Sequence, residues 1–280
     1  MRGEIIREKL HSGERVYGTH VCSLSNPVTA KMETGVELDF AFICNEHMPI
    51  DRTETSMMCQ FYAAHGVSPC VRIPCPDAYY ASMALDAGAQ GVTVPYVETV
   101  EEVKTIVGAV KYRPIKGKFL ADVLDGTREP TKKTIEYLNH FNRDNYVIIG
   151  IESVEAIRNL EALISVRGVD GVFLGPHDIS MSMEIPEEYD NPLFMDVVED
   201  VIRRCRALNV GVGLHTQWAS VAPGLLDRLL DAGMNWIANG SDVVTLRDGL
   251  NHTLRGIREK AGDSYSRDGD ADTQVSSCLG

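Results

Sequence analysis

Glu152 in "IIGIES" and Asp178 in "LGPHDIS" each stand just past an apolar run, and Arg72 in "VRIP" and His47 in "ICNEH" occupy equivalent places after two other runs. Two carboxylates on neighbouring strands suit a hard divalent cation such as Mg²⁺ or Mn²⁺, with Co²⁺ a further candidate, that keeps waters for a substrate to displace. An arginine one or two strands away can fork onto an anionic substrate oxygen. A histidine near both can act as general base or acid. Glu46 adjoins His47, and His20 and His215 stand where they could flank the same mouth. Each residue also has a plainer reading. Glu152 and Asp178 could be helix-cap acids, Arg72 their buried ion-pair partner, and His47 a packed loop residue. His20 and His215 could be satisfied barrel residues, and Cys44 a small buried hydrophobe. Cys70 and Cys75 read as packing, and "DAGAQG" as a helix stop, because its glycines precede a strand instead of opening a helix.

These residues need a frame that brings distant segments to one place. Short β-rich runs alternate with longer amphipathic segments. Strands are expected at Val16–Cys22, Phe40–Cys44, Ser68–Arg72, Gly91–Val94, Tyr146–Ile151, Gly171–Leu174, Val210–Leu214 and Trp236–Ala238. Helices are expected at Asn26–Gly35, Thr53–His65, Asp77–Ala87, Thr99–Val110, Thr131–Phe141, Ser153–Ile164, Phe194–Leu208, Ala219–Ala232 and Asp242 to about Lys260. The strands are too apolar to have a wet face, which implies a parallel sheet covered by helices. Eight strand–helix repeats predict an α/β fold of the (β/α)₈ TIM barrel kind, whose function sits at the C-terminal strand ends, where the charged residues above all fall. "YRPIKGKF" and "EIPEEYDNP" read as loops. Residues 1–261 are expected to form one barrel domain and 262–280, rich in Asp, Ser and Gly, a disordered tail.

Composition narrows the partners. The chain has 280 residues and a net charge of -13 without a compensating basic block, so nucleic acid is not an expected partner. No run approaches a membrane-spanning length, and the charged N-terminus does not read as a signal peptide. Seven cysteines without a CxxC fit reduced thiols in a soluble, cytoplasmic protein.

Taken as a set and in this order, "DFAFICNEHMPID", "VRIP", "ALDAGAQGVTVPYVETVEE", "IGIES" and "GVDGVFLGPHDIS" resemble the signatures of the HpcH/HpaI class II pyruvate aldolases, a family related to 2-keto-3-deoxy sugar acid aldolases and macrophomate synthase. The resemblance spans roughly Glu14 to Arg258. It implies a modified TIM barrel and a carbon–carbon lyase that cleaves a 4-hydroxy-2-oxo acid to pyruvate and an aldehyde through a metal-bound enolate. It also implies a homo-hexamer, a trimer of dimers that exchange C-terminal helices. By position, Glu152 and Asp178 resemble the metal ligands, and Arg72 the residue that holds the keto oxygen and stabilises the enolate. His47 resembles the catalytic histidine, and Gly175, Pro176 and His177 the segment that binds the pyruvate carboxylate. The chain departs from the family pattern at four places. Cys44 stands where an Asp usually orients the histidine, Gly150 where a Gln usually precedes the metal-binding Glu, and His20 where strand 1 usually carries Trp or another bulky residue. "PIKGKF" replaces an Arg-Gly pair. These changes point to altered proton handling or an altered second substrate. Oxaloacetate decarboxylation or enolate condensation is the nearest alternative; a citramalyl- or malyl-CoA-type lyase and a degenerate scaffold lie further off.

Overall fold

The computed structural model describes residues 2–22, 26, 35–216 and 224–264. Eight parallel strands pair in chain order and close into a barrel, the last bonding back to the first. They are β1 (Val16–Val21), β2 (Phe40–Cys44), β3 (Ser68–Arg72), β4 (Gly91–Val94), β5 (Tyr146–Ile151), β6 (Gly171–Leu174), β7 (Gly211–His215) and β8 (Trp236–Ser241). Most of them are buried on both faces, which is why they read as apolar runs instead of alternating ones.

One face packs the helical ring, through residues such as Ile43, Val92, Ile149 and Leu214. The other fills the barrel with a separate cluster that includes Phe40, Phe42, Tyr146, Ile148, Phe173 and Trp236. Strands in such a barrel stagger by about one residue each, so alternate strands contribute side chains to one level. Following the pairing register, Phe42 and Phe173 share a level on even strands, and the next level toward the C-terminal mouth is His20, Arg72, Gly150 and His215 from the odd strands. Ring contacts agree with this layering: Phe42 lies 5.4 Å from the His20 ring and 5.2 Å from the His215 ring, and Phe173 5.1 Å from the latter. The floor of the mouth is therefore polar, resting on an aromatic layer.

Helices surround the barrel: α1 (Gly3–Ser12), α2 (Arg52–Ala64), α3 (Ala78–Asp86), α4 (Val100–Lys111), α5 (Gly117–Leu124), α6 (Lys132–Phe141), α7 (Val154–Arg158), α8 (Leu160–Ile164), α9 (Pro176–Ser182), α10 (Pro192–Ala207), α11 (Leu225–Ala232) and α12 (Asp242–Ala261). Asp51 and Thr99 start α2 and α4 with capping boxes completed by Glu54 and Glu102. The expected helix at Asn26–Gly35 lies almost wholly outside the described residues, as do the first part of Ala219–Ala232 and the tail beyond 264.

Several local expectations are corrected. α1 had no place in the strand–helix count; its Ile6 and Leu10 plug the bottom of the barrel. "YRPIKGKF" is not all loop, because Gly117–Phe119 open α5, whose Leu120 and Leu124 pack near Gly108 of α4. The expected helix at Ser153–Ile164 divides at Asn159 into α7 and α8. β7 runs one residue later than expected, so His215 belongs to the strand, and β8 continues to Ser241.

Candidate active site

All the charged residues singled out from the sequence gather at the C-terminal mouth. Arg72 ends β3, and its side chain is 4% exposed. The register places it beside Cys44, the last residue of β2. Its Nη2 donates to Cys44 Sγ at 3.0 Å, its Nε lies 3.0 Å from Glu46 Oε2, and the guanidinium sits 5.4 Å above the Phe42 ring centre and 5.8 Å from that of Phe173. An arginine stacked on two rings and held on two sides is fixed in direction before any substrate arrives.

Glu46 Oε2 also lies 3.4 Å from His47 Nε2, so a single carboxylate bridges the arginine and the histidine. This answers the Cys44 departure. The thiol faces the guanidinium, and the neighbouring Glu46 supplies the carboxylate beside His47. Cys44 is thus more than a buried hydrophobe. Burial raises Glu46 above the usual carboxylate range, with Arg72 opposing and Asp178 adding to the rise. His47 is pushed below the ordinary histidine value, first by burial and then by Arg72. It is consequently a neutral imidazole near pH 7, able to accept a proton.

Glu152 immediately follows β5, and Ser153, not Glu152, caps α7. The backbone around it is cut away to admit its side chain. A Cβ built on Gly150 would stand 2.5 Å from Glu152 Oε1, 2.9 Å from Val94 O and 3.0 Å from Pro95 Cα. A Cβ on Gly175 would meet Glu152 Cγ at 2.9 Å and Asp178 Oδ2 at 3.1 Å, so the two carboxylates converge on the same glycine. Asp178 lies in the first turn of α9, which Gly175 caps and Pro176 opens. The His177 side chain turns away toward Glu187, its Nδ1 3.4 Å from Oε1.

The electrostatics are unbalanced. Glu46 and Asp178 act on Glu152, and Asp178 on Glu46, with Arg72 opposing both. Glu152, 5% exposed, is pushed up to about 8, chiefly by burial and then by Glu46 and Asp178, with Arg72 pulling the other way. Its Oε1 has no hydrogen-bond partner among the described residues. Buried carboxylate oxygens without donors, crowded by like charge, fit a site for a divalent cation. Among the described residues no group of three or more His, Cys, Asp or Glu forms a ready cage. Glu152 and Asp178 are therefore two protein ligands that would leave the remaining positions to water and substrate.

His20 and His215 stack with ring centres 4.6 Å apart and planes 22° from parallel. Both are buried and strongly disfavour protonation: burial, followed by Arg72, takes His20 down to about 3, and burial and His20 take His215 well below its ordinary value. They are barrel residues, as the plainer reading held, but His20 Nδ1 and Nε2 and His215 Nε2 have no hydrogen-bond partner among the described residues. The sequence signal was available in the alternation, since β1 and β7 are both odd strands that carry a histidine within one residue of their C-terminal ends. The Glu46 bridge was harder to see, because it depends on Cys44 and Arg72 being cross-strand neighbours.

A parallel eight-stranded barrel with a carboxylate pair, a fixed arginine and a neutral histidine at its C-terminal mouth defines a lyase-type (β/α)₈ enzyme fold and site. The sequence pattern of the HpcH/HpaI aldolase/citrate lyase family matches residues 22–249, and the chain belongs to that family. It is 29% identical over 256 residues to the hydroxypyruvate/pyruvate aldolase of Pseudomonas aeruginosa, covering 91% of each chain. It is 30% identical over 243 residues to the 2-keto-3-deoxy-L-rhamnonate aldolase of Klebsiella pneumoniae, covering 86% of this chain and 88% of that one. The crystal structure of the HpcH/HpaI aldolase from Desulfitobacterium hafniense DCB-2 superposes with a TM-score of 0.76 at 25% identity, over 91% of this chain and 96% of the other. The protein is an aldehyde-lyase of the class II aldolase type.

Proposed function

We propose that the protein cleaves the C3–C4 bond of a 4-hydroxy-2-oxo acid, releasing a pyruvate-type acid and an aldehyde, and runs the addition in reverse. The observation that carries this reading is the convergence of Glu152, Asp178 and the pre-fixed Arg72 at one mouth. Glu152 and Asp178 would hold a divalent cation, Mg²⁺ or Mn²⁺, which would supply Lewis-acid stabilisation of negative charge on the substrate oxygens. Arg72 aims its guanidinium at the C2 oxygen, where charge develops as the bond breaks. Its stacking and its contacts with Cys44 and Glu46 mean that little reorganisation is needed at that moment. The backbone at Gly175, Pro176 and His177 faces the substrate carboxylate. His47, neutral and oriented by Glu46, accepts the C4 hydroxyl proton during cleavage and returns one in the addition direction. Release of pyruvate from 4-hydroxy-2-oxo acids, followed with a lactate dehydrogenase couple, tests the reading. Cleavage that requires a divalent cation and is lost in Arg72→Ala supports it, and cation-independent turnover in Glu152→Ala contradicts it.

The assembly we infer is a homo-oligomer, with a hexamer as the expected size. Of the 20 residues of α12 only Asp242 and Val244 are buried, while Leu246, Leu250, Leu254 and Ile257 stand 52%, 53%, 43% and 62% exposed along it. Beside β1 and β8 runs a groove of about 960 Å³ lined by Tyr17, Leu38, Leu226, Leu230 and Ile237. An apolar helix stripe and an apolar groove on one chain suit exchange between two copies. Cys22, Cys44, Cys59, Cys70, Cys75 and Cys205 form no disulfide among the described residues, which suits a reducing compartment, and we place the protein in the cytoplasm. Among the described residues no helix is long and apolar enough to cross a membrane.

A further inference from the structure

His47 is loosely held for a residue that must meet a proton. Its side chain is 40% exposed, and its contact with Glu46 is 3.4 Å long. The place of the ring is therefore set by the segment that carries it, residues 45–51 between β2 and α2. That segment is tied both to the end of β3 and to α2. The Asn45 N–H donates to Arg72 O at 2.9 Å, continuing the pairing of Cys44 with Arg72. The Asn45 side chain donates from Nδ2 to Thr55 Oγ1 at 2.8 Å, and Thr55 Oγ1 donates in turn to Asp51 O at 2.8 Å. Thr55 is 3% exposed, near the start of the helix that Asp51 caps.

Alternation decides which of these residues can meet a substrate. Cys44 and Glu46 both turn to Arg72 at the mouth, so Asn45 between them points away from it, toward α2. Asn45 and Thr55 therefore act on the reacting atoms through Glu46 and His47, the two residues that follow Asn45 in the chain. Asn45 Oδ1 has no partner among the described residues, so the bond to Thr55 is what fixes the amide. Consecutive hydrogen bonds in a poorly solvated place give a segment one position instead of several. Cys44 contacts Arg72 and leaves the direction of the imidazole to that segment.

We propose that Asn45 and Thr55 are positioning residues for cleavage: their hydrogen bond latches the segment after β2 so that Glu46 and His47 stand at the C4 oxygen of the substrate. This role rests on the aldolase reading above and adds to it two residues that serve the proton step and not the binding of cation or enolate. Breaking the latch leaves the Asn45 N–H on Arg72 O, so Arg72 keeps its place while His47 loses its own. A small displacement of a group that must reach its proton at hydrogen-bond distance costs up to about 100-fold in rate.

The test follows pyruvate release from 4-hydroxy-2-oxobutanoate and 4-hydroxy-2-oxopentanoate by the Mn²⁺-loaded full-length protein, with folding checked by circular dichroism. In Asn45→Leu and in the nearly isosteric Thr55→Val, kcat is expected to fall about 10- to 100-fold with KM within about threefold of wild type, and the double variant to be no slower than the slower single one. Thr55→Ser, which keeps the hydroxyl, should retain the wild-type kcat. Affinities for Mn²⁺ and for oxalate, an enolate mimic, read by calorimetry, should stay within about threefold in every variant. In the His47→Ala background, Asn45→Leu should slow the reaction by less than about twofold further, since the group it positions is already gone. Wild-type kcat in both folded single variants, a loss in the His47→Ala background as large as in wild type, or a parallel loss of Mn²⁺ and oxalate affinity would overturn the latch and leave the aldolase reading standing. A wild type that releases pyruvate from neither acid overturns the cleavage reading, and the latch falls with it.

Discussion

The charge imbalance at the mouth predicts how many protons leave when a cation binds. Glu152 is the group that must change state, because its carboxyl is pushed up to about 8 by burial and by Glu46 and Asp178, and a cation ligand must be deprotonated. A group with that value is about 0.9 protonated at pH 7 and about 0.1 protonated at pH 9. Titrating Mn²⁺ into the cation-free protein should therefore release about 0.9 proton per site at pH 7 and about 0.1 at pH 9, with apparent affinity rising about tenfold per pH unit below 8. Calorimetry in several buffers of different ionisation enthalpy measures the release directly. Glu152→Gln removes both the binding and the proton. The same raised value has a stability sign: cation-free wild type should lose stability as pH climbs from about 4.5 toward 8, because the unfolded chain ionises Glu152 while the fold still holds it protonated. Glu152→Gln should not show that decline. Release near zero at pH 7 with wild-type affinity would refute the argument, since it would mean that Glu152 is already ionised or is not a ligand.

Three further outcomes follow from particular contacts. Gly150→Ala, or a Gln at that position, places a Cβ against Glu152 Oε1, Val94 O and Pro95 Cα, and should weaken Mn²⁺ binding about tenfold or more in a folded protein, as read by calorimetry. Glu46→Gln keeps the side chain's shape but removes the charge between Arg72 and His47; kcat should fall roughly 10- to 100-fold in the lactate dehydrogenase couple, less than the about 10²–10⁴ expected for His47→Ala. Asp170 is a buried structural acid bound by Lys111, His11 and the Val147 N–H, which together outweigh the raising effect of burial and hold it below the usual range. Asp170→Asn should cost about 3–5 kcal/mol in urea unfolding. That difference should be complete above about pH 4 and shrink as acid protonates the native Asp170.

Much of the barrel was legible because parallel strands buried on both faces must be continuous apolar runs, and "FAFIC" or "YVIIGI" can be little else. The helices with strong caps, such as those begun by Asp51 and Thr99, were legible for a similar local reason. α1 and α9 were both missed outright, and α1 is a plug: its Ile6 and Leu10 act against the bottom of a barrel that exists only once distant strands have closed. A charged ten-residue segment gives no local sign of that. α5 was hidden behind the Pro and Gly of "YRPIKGKF", which mark a turn before the helix rather than its absence. At the site, residue types and strand ends pointed to Arg72, Glu152, Asp178 and His47, while their couplings were invisible. The Arg72–Cys44 contact depends on strand register, and the His20–His215 stack on the stagger that brings β1 and β7 to one level. The missing Asp read from the sequence as a gap; in space Glu46 stands next to the histidine.

The most direct test of the central claim is enolisation itself, isolated from any aldehyde: uptake of deuterium at C3 of a 2-oxo acid in D₂O, followed by proton NMR. Exchange should require a divalent cation and be abolished in Glu152→Ala, in Asp178→Ala and in Arg72→Ala. Undiminished exchange by the Glu152→Ala/Asp178→Ala double variant in the presence of EDTA, or no exchange by the cation-loaded wild type with pyruvate or hydroxypyruvate, would contradict it.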